Sequence, residues 1–302
     1  AGGSGDDQSW VVETDAEGNV YVGGEFEGND GFFGISPLIS LGGKDMFVAR
    51  IDSEGKSIWV TSMGGSDNEM IENLSVDAEG SMYVNGSFDG ELVVGNDTLA
   101  LELGATFTTH IMANGTLDWT EQQGNAKTWL NSAMITDAQG NVYTAGSFEG
   151  TTEIGSETFA SEGKKDMVIV KQNAEGTVVW AVTAGGEAED AITSLAFDND
   201  GSLVVGGYFE SEATFGSMTK TSAGATDNVV AKLDAEGKFQ WVITSGGTLN
   251  DRVSSIAVNS SSEIIATGTF EGTSSFKTDE TSQGKSDMYV WKIDQGTVGF
   301  DV

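Results

Sequence analysis

The sequence predicts an all-β fold assembled from five copies of one unit, and three observations carry that expectation. The stretch DAEGNVYVGGEFEG from Asp15 returns as DAEGSMYVNGSFDG from Asp77, DAQGNVYTAGSFEG from Asp137, DNDGSLVVGGYFES from Asp198 and NSSSEIIATGTFEG from Asn259. Short β-rich runs are separated by Gly and Asp turns, Pro37 is the lone proline, and no segment sustains a helical period. The best-preserved run of each copy is apolar on consecutive residues, the mark of a strand buried on both faces.

The copies start at 15, 77, 137, 198 and 259, steps of 62, 60, 61 and 61, and account for nearly all 302 residues. One repeat-built domain over 1–302 is therefore expected, in units of approximately 1–62, 63–122, 123–183, 184–244 and 245–302.

Each unit reads as four strands. In the first, Val12, Leu74, Met134, Leu195 and Ile256 hold one position, which should face the core. The second contains Val20-Tyr21-Val22 and its counterparts. It continues into Gly24, Gly86, Gly146, Gly207 and Gly268 and, two residues on, Phe26, Phe88, Phe148, Phe209 and Phe270. The glycine suits a close backbone approach or a bulge, and the phenylalanine a core anchor. The third and fourth strands form a hairpin, as in DNVVAKLDAEGKFQW, and end on Trp59, Trp119, Trp180, Trp241 and Phe300. As core anchors, each of these aromatics would remove on the order of 200 Å² from water, about 5 kcal/mol as an upper bound.

Sheets buried on both faces stack around a ring or along a rod. After Trp59 the chain reads VTSMGG and after Trp241 VITSGG; Phe300 is followed by Asp301-Val302, and the chain begins Ala1-Gly2-Gly3. Placed end to end, these termini all but complete the same run, and no polar caps are visible. The expectation is a five-bladed β-propeller.

The motifs also resemble a known family. Phe215-Gly216, Asp227, Val230-Ala231-Lys232, Asp234, Gly237, Trp241 and Gly246-Gly247 are similar to the bacterial secreted β-propeller repeats termed SBBP, and the likeness spans essentially the whole chain. It implies export from a prokaryotic cell and an extracellular or cell-surface location, and implies little about a ligand.

Forty-seven acids against 14 basic residues give a net charge of -33, which repels nucleic acid and anionic membranes and attracts divalent cations or basic partners. A solvated acidic surface is the plainer reading. With no cysteine, disulfides and thiolate metal sites are excluded. No apolar run is long enough for a spanning helix, so no membrane insertion is expected. A start at Ala1 fits a mature exported protein whose signal has been removed, or a trimmed chain.

Candidate chemistry is sought where the copies differ. His110 stands where the others have Arg50, Lys171, Lys232 and Lys292, and reads as a substituted structural cation rather than a base or metal ligand. The same copy has Ala105 in place of Asp45, Asp166, Asp227 and Asp287, which suggests that the acid and the cation interact. Asp198-Asn199-Asp200-Gly201 resembles the start of a calcium loop, but Phe209 stands where a bidentate Glu belongs, so a plain turn is expected.

The loops after the glycine pairs bring Asp6, Asp7, Glu69, Glu189, Asp190 and Asp251 to equivalent positions. These residues suggest a ring of carboxylates, able to bind a cation, a sugar or a basic peptide, on the face that carries the long insertions such as Gly31 to Gly43. Trp129, after Lys127-Thr128, interrupts the ring as an exposed aromatic platform. Of the five sequons, Asn73 and Asn85 fall in expected strands, and only Asn96 and Asn114 in exposed loops.

There is no phosphate loop, no G-x-S-x-G and no H-E-x-x-H, and no catalytic residue is assigned. The expected function is a secreted or cell-surface, non-enzymatic module, structural or adhesive, that binds protein or glycan or assembles with itself. It needs no cofactor, with calcium as a weak support. The alternatives are a carbohydrate-active enzyme using channel carboxylates and a repeated lectin.

Overall fold

In a computed structural model, residues 1–95, 97–123, 129–276, 278–293 and 295 are described. They are all-β, with no α-helix among them. The first repeat contributes β1 (Gln8–Thr14), β2 (Val20–Glu27), a short hairpin of β3 (Gly31–Phe33) and β4 (Ser36–Leu38), β5 (Lys44–Ile51) and β6 (Ser57–Gly64). The second has β7 (Glu69–Val76), β8 (Met82–Val94), β9 (Asp97–Ile111) and β10 (Leu117–Gln123), and the third β11 (Trp129–Thr136), β12 (Val142–Ile154), β13 (Glu157–Gln172) and β14 (Val178–Ala184). The fourth has β15 (Ala191–Phe197), β16 (Leu203–Phe215), β17 (Met218–Leu233) and β18 (Phe239–Gly247). The fifth has β19 (Asp251–Val258), β20 (Ile264–Phe270), the short pair β21 (Thr273–Ser275) and β22 (Asp279–Thr281), and β23 (Asp287–Ile293). The strand expected to end at Phe300, and the expected meeting of Val302 with Ala1, lie outside the described residues.

The chain divides into two compact units. One comprises Ala1–Tyr143 with Glu153–Gly155 and Gln172–Val178; the other comprises Thr144–Thr152, Ser156–Lys171 and Val179–Val302. The division runs through the third repeat.

Within each unit the antiparallel meander of a repeat follows from its turns. Asp15 accepts the backbone N–H of Asn19 on its carboxylate at 2.8 Å, and Gly18 turns at φ +82°. Asp77 and Asp137 repeat the arrangement with Ser81 and Asn141, which is why the quoted stretch opens on Asp and has Gly three residues later.

The register places the repeat glycines where the strands come closest. Gly24 pairs with Ser9 just before the ladder slips by one residue, and the slip recurs between Ile71 and Asn73, Ile192 and Ser194, and Val253 and Ser255. A Cβ on Gly24, Gly86, Gly207 or Gly268 would lie within 2.3 Å of a first-strand carbonyl oxygen, at 2.1, 2.2, 2.0 and 2.0 Å. Only glycine fits there. The five phenylalanines two residues on are all buried, as expected of core anchors.

Successive repeats stack through the first strand. β7 packs on β1, β2 and β5 in the first unit, and β19 on β15, β16 and β17 in the second. Ile71 and Leu74 join Tyr21, Met46 and Val48 in one buried cluster, and Val253 and Ile256 join Val204 and Val230 in another.

The long insertions are not irregular loops. They are hairpin extensions whose inward residues alternate, as in Leu92 and Val94 or Ala213 and Phe215. They also knit repeat to repeat: Met63 and Gly64 of β6 pair with Val94 and Val93 of β8, and Gly246 and Gly247 of β18 with Ser275 and Ser274 of β21. Gly2 forms the corresponding bridge to Phe32.

Candidate functional site

The loops after the glycine pairs do come together with the strand that opens on Asp45 or its equivalents, but as a buried arrangement rather than an exposed acidic ring. Asp7, Glu69, Asp190 and Asp251 each accept the N–H of the residue four earlier, namely Gly3, Gly65, Gly186 and Gly247, at 2.6, 2.9, 2.9 and 2.8 Å. Asp45, Asp166, Asp227 and Asp287 likewise accept the N–H of Leu41, Glu162, Ala223 and Gln283, at 2.7, 3.1, 2.9 and 2.8 Å.

The two sets meet across the junction between one repeat and the next. The Asp45 and Glu69 carboxyls face each other, and the charge of Asp45 acts directly on Glu69. A Cβ on Gly185 would lie 2.8 Å from the Asp166 Cγ and 2.9 Å from the Asp190 Oδ2, so both carboxyls crowd one point. The Gly247 N–H is given to Asp251 at 2.8 Å, and the charge of Asp227 acts on that same carboxyl. The glycine pair is thereby explained, because Cβ atoms on Gly64 and Gly246 would fall 2.1 and 2.2 Å from the Asp45 and Asp227 Cγ atoms.

Glu69, Asp190 and Asp251 are almost wholly inaccessible, at 1, 0 and 0% exposure. Burial drives the Glu69 carboxyl up to about 8 against the pull of the Gly65 N–H, and the Asp45 charge adds to the rise. For the same reason Asp190 is pushed up to about 7, Asp251 and Asp166 to about 6, and Asp45 and Asp227 above the usual carboxylate range. Asp6 is exposed, and Asp7 and Glu189 are half-buried, so these three stand apart from the buried set.

Trp129 corrects a second expectation. It is 2% exposed, with its indole N–H on the Asn131 Oδ1 at 2.8 Å, and is no platform. Counted back from the repeat turn it occupies the position of Glu69, Asp190 and Asp251, just as Ala105 occupies that of Asp45, Asp166 and Asp227. The second repeat's junction has lost both acids together. That joint loss was the sequence signal for the pairing, and it is visible only when one repeat is compared with the next. Lys127 and Thr128 lie outside the described residues.

The long cation of the third strand is not the partner of this acid. Arg50 lies over the Tyr21 ring, 5.4 Å from its centre, and 3.6 Å from Asp15. Lys232 Nζ holds Asp198 at 2.5 Å and Asp200 at 2.8 Å, and Lys292 pairs with Glu263. The calcium-like quartet is thus a turn closed by Lys232. Burial opposes ionisation of Asp198, yet the bonds from Lys232, Gln295 and Ser262 outweigh it and hold the carboxyl at about 2. His110 is structural: it stacks on Tyr83 at 4.5 Å and bonds Asp118 at 3.0 Å.

A further concavity lies in the second unit. Phe270, Phe276, Met288, Val290 and Trp291 line a groove of about 600 Å³, edged by Lys292 and Glu280. Met288 and Val290 are 84 and 74% exposed, whereas their equivalents Met46 and Val48 are covered by β6; the strand equivalent to β6 in the fifth repeat lies outside the described residues. At the opposite end of the sequence Val12 is 65% exposed, whereas Leu74, Met134, Leu195 and Ile256 are buried.

Among the described residues no group of three or more His, Cys, Asp or Glu is placed to hold a metal, and no helix is long and apolar enough to cross a membrane. Each buried pair offers at most two free oxygens, against the six to eight that calcium takes.

No family model matches the chain. Among curated proteins it is similar to the regulatory protein FlaEY of Caulobacter vibrioides, 26% identical over 142 residues that cover 44% of this chain and 15% of that protein. It is also similar to the uncharacterized WD repeat-containing protein L264 of Acanthamoeba polyphaga mimivirus, 23% identical over 331 aligned residues covering 86% of this chain and 24% of that protein. The chain therefore spans less than a quarter of the length of either relative. Two solved structures are similar at low level. One is a protein of unknown function from Bacteroides caccae (TM-score 0.40, 9% identity, 83% of this chain and 69% of that chain). The other is a glucose dehydrogenase (TM-score 0.44, 13% identity, 88% and 80%). The class defined by the strands and the repeated sequence is an all-β repeat protein.

Proposed function

We propose that this chain is a secreted or cell-surface β-propeller of the bacterial secreted-repeat type, its five repeats forming five blades, and that it serves as a non-enzymatic structural or adhesive module for protein or glycan partners. The observation that carries this reading is the commitment of the repeated acids to structure. Each member of the buried pairs is tied to a backbone N–H and sits against a second carboxyl, out of reach of any substrate. Glycosidase carboxyls instead flank a sugar at about 5–9.5 Å and must be open to it. Stacking of β7, β11 and β19 on the repeats before them supports the blade reading, as does the similarity to a WD-repeat protein.

The test is to present the purified chain to a panel of polysaccharides and surface proteins, scoring binding and hydrolysis separately. Binding without turnover is expected. Hydrolysis that persists through purification and disappears with one carboxylate substitution would overturn the reading in favour of a carbohydrate-active enzyme. Direct imaging of single particles tests the blade count, for which a number other than five would be fatal.

A further inference from the structure

We propose that the carboxyl pairs Asp45–Glu69, Asp166–Asp190 and Asp227–Asp251 each hold one proton between them, making these repeat junctions pH-sensitive joints.

The geometry leaves little else to fill the gap. Asp45, Glu69, Asp166, Asp227 and Asp251 each give one oxygen to a backbone N–H, while Asp45 Oδ1, Glu69 Oε1, Asp166 Oδ1, Asp227 Oδ1 and Asp251 Oδ1 are buried and have no hydrogen-bond partner; Asp190 accepts two, from Gly186 and Glu210, so its pair holds one unpartnered oxygen, that of Asp166. Two ionised carboxylates in contact repel each other, and buried acceptors without donors are costly. A single proton turns one acceptor into a donor and relieves both problems, as in other carboxyl pairs that share a site.

The charged groups around each pair make the case stronger. Asp67 adds negative charge near Glu69, Glu162 near Asp166, and Glu210 near Asp190. The phenol of Tyr289, near Asp251, is given to Asn228 at 2.7 Å, and the buried Ser274 hydroxyl on the same side has no hydrogen-bond partner. Two of the adjacent cations are engaged elsewhere: Lys44 with Glu25 at 4.0 Å, and Arg252 over the Tyr208 ring at 4.2 Å.

Each pair ties a third strand to the first strand of the following repeat. Glu69 opens β7, Asp190 directly precedes β15, and Asp251 opens β19, the strands that bury Ile71, Ile192 and Val253. Loss of the proton therefore places repulsion at the start of the strand through which repeats stack. The second repeat, with Ala105 and Trp129, has no such joint and is an internal control.

The sign follows from the direction of the shifts. Carboxyls whose folded-state pKa is raised stabilise most below the unfolded value near 4, and that contribution is lost as pH rises through the folded values of about 6 to about 8.

Two measurements test the proposal. The first is the infrared band of protonated carboxyl groups at neutral pH in the intact chain, which is expected to be present and to be lost on raising the pH. The second is the urea midpoint between about pH 5 and pH 9 for the wild type, for Glu69→Gln, Asp190→Asn and Asp251→Asn singly, and for Glu236→Gln, an exposed charge removed as a control. The wild-type midpoint should fall with pH, and each pair variant should flatten the fall by up to about one proton while the control leaves it unchanged. No protonated-carboxyl band at neutral pH, or a slope untouched by all three pair variants or flattened equally by the control, would overturn it. The infrared measurement stands even where a variant fails to fold.

Discussion

Trp119 donates its indole N–H to the carbonyl of Ala174, 55 residues further on, at 2.9 Å. Trp59 and Trp180 do the same to Ala113 and Ala235, both at 3.0 Å. Each ring also lies over the glycine of the turn it reaches: a Cβ on Gly115, Gly176 or Gly237 would come within 2.7, 3.0 and 2.8 Å of the indole. Trp59, Trp119 and Trp180 are therefore half-buried clasps on the next repeat's hairpin, whereas Trp241 is buried in the core cluster of the second unit, as a core anchor should be. The polar edge of the three clasps accounts for the choice of Trp over Phe.

The clasp predicts a graded response. Trp119→Phe removes the hydrogen bond and should cost about 1 kcal/mol, and Trp119→Ala roughly 2–3 kcal/mol, less than a fully buried tryptophan would. Gly176→Ala and Gly150→Ala both place alanine at positive φ, +82° and +79°, but only Gly176 lies under an indole. Gly176→Ala should be the more damaging by urea denaturation. Equal effects would mean that the ring is not pressed on the turn.

A different dependence on pH is expected of Lys232. Its Nζ compensates the buried Asp198, so Lys232→Met leaves that charge unpaired and should cost on the order of 3–5 kcal/mol at neutral pH. Because the Asp198 pKa is depressed, this contribution is present above about pH 4 and lost as pH falls through about 2, opposite to the carboxyl pairs. The two together predict a stability maximum in mildly acidic solution. Thermal midpoints measured across the acid range check it, and the acid limb should vanish in Lys232→Met.

How far the sequence reaches is shown by which of its signals lie inside one repeat. Gly24 and Phe26 recur in every copy, and the structure uses each as the spacing implies, because a close backbone approach and a buried ring are demands of a single sheet. The hairpin extensions were also legible, in the alternation of Leu92 with Val94 and Ala213 with Phe215, but the surrounding Ser, Thr and Gly disguise them as loops. The acid pairs are harder to see. Asp45 and Glu69 belong to different repeats, so aligning the copies separates the partners, and a buried Glu69 looks in sequence like any surface acid. Trp129 is hidden for the same reason, since it and Ala105 stand at the two acid positions of one junction but in different repeats.

That shared junction gives a prediction of its own. Ala105→Asp introduces one buried acid without a carboxyl opposite it and with Trp129 in the second acid's position, so it should destabilise by a few kcal/mol. Trp129→Glu alone removes a buried aromatic and should also be costly. Combined, the two recreate the constellation of the other junctions, and the double variant should be less damaged than the sum of the singles. It should also acquire an extra protonated carboxyl in the infrared. Simple additivity would show that the two positions do not communicate.

Asp227 and Glu236 separate a structural acid from a surface one within a single repeat. Asp227 is buried, accepts the Ala223 N–H at 2.9 Å and faces Asp251, whereas Glu236 is exposed at the tip of a turn. Asp227→Ala strips the acceptor from a backbone donor and leaves Asp251 without its partner, so a loss of roughly 1–3 kcal/mol is expected. Glu236→Ala should change stability by no more than about 0.5 kcal/mol. Asp227→Asn keeps the acceptor and supplies a donor to the Asp251 carboxylate, and should therefore match the wild type at acid pH and exceed it at alkaline pH. If Asp227→Asn instead falls as steeply with pH as the wild type, the titrating element at that junction is not the pair.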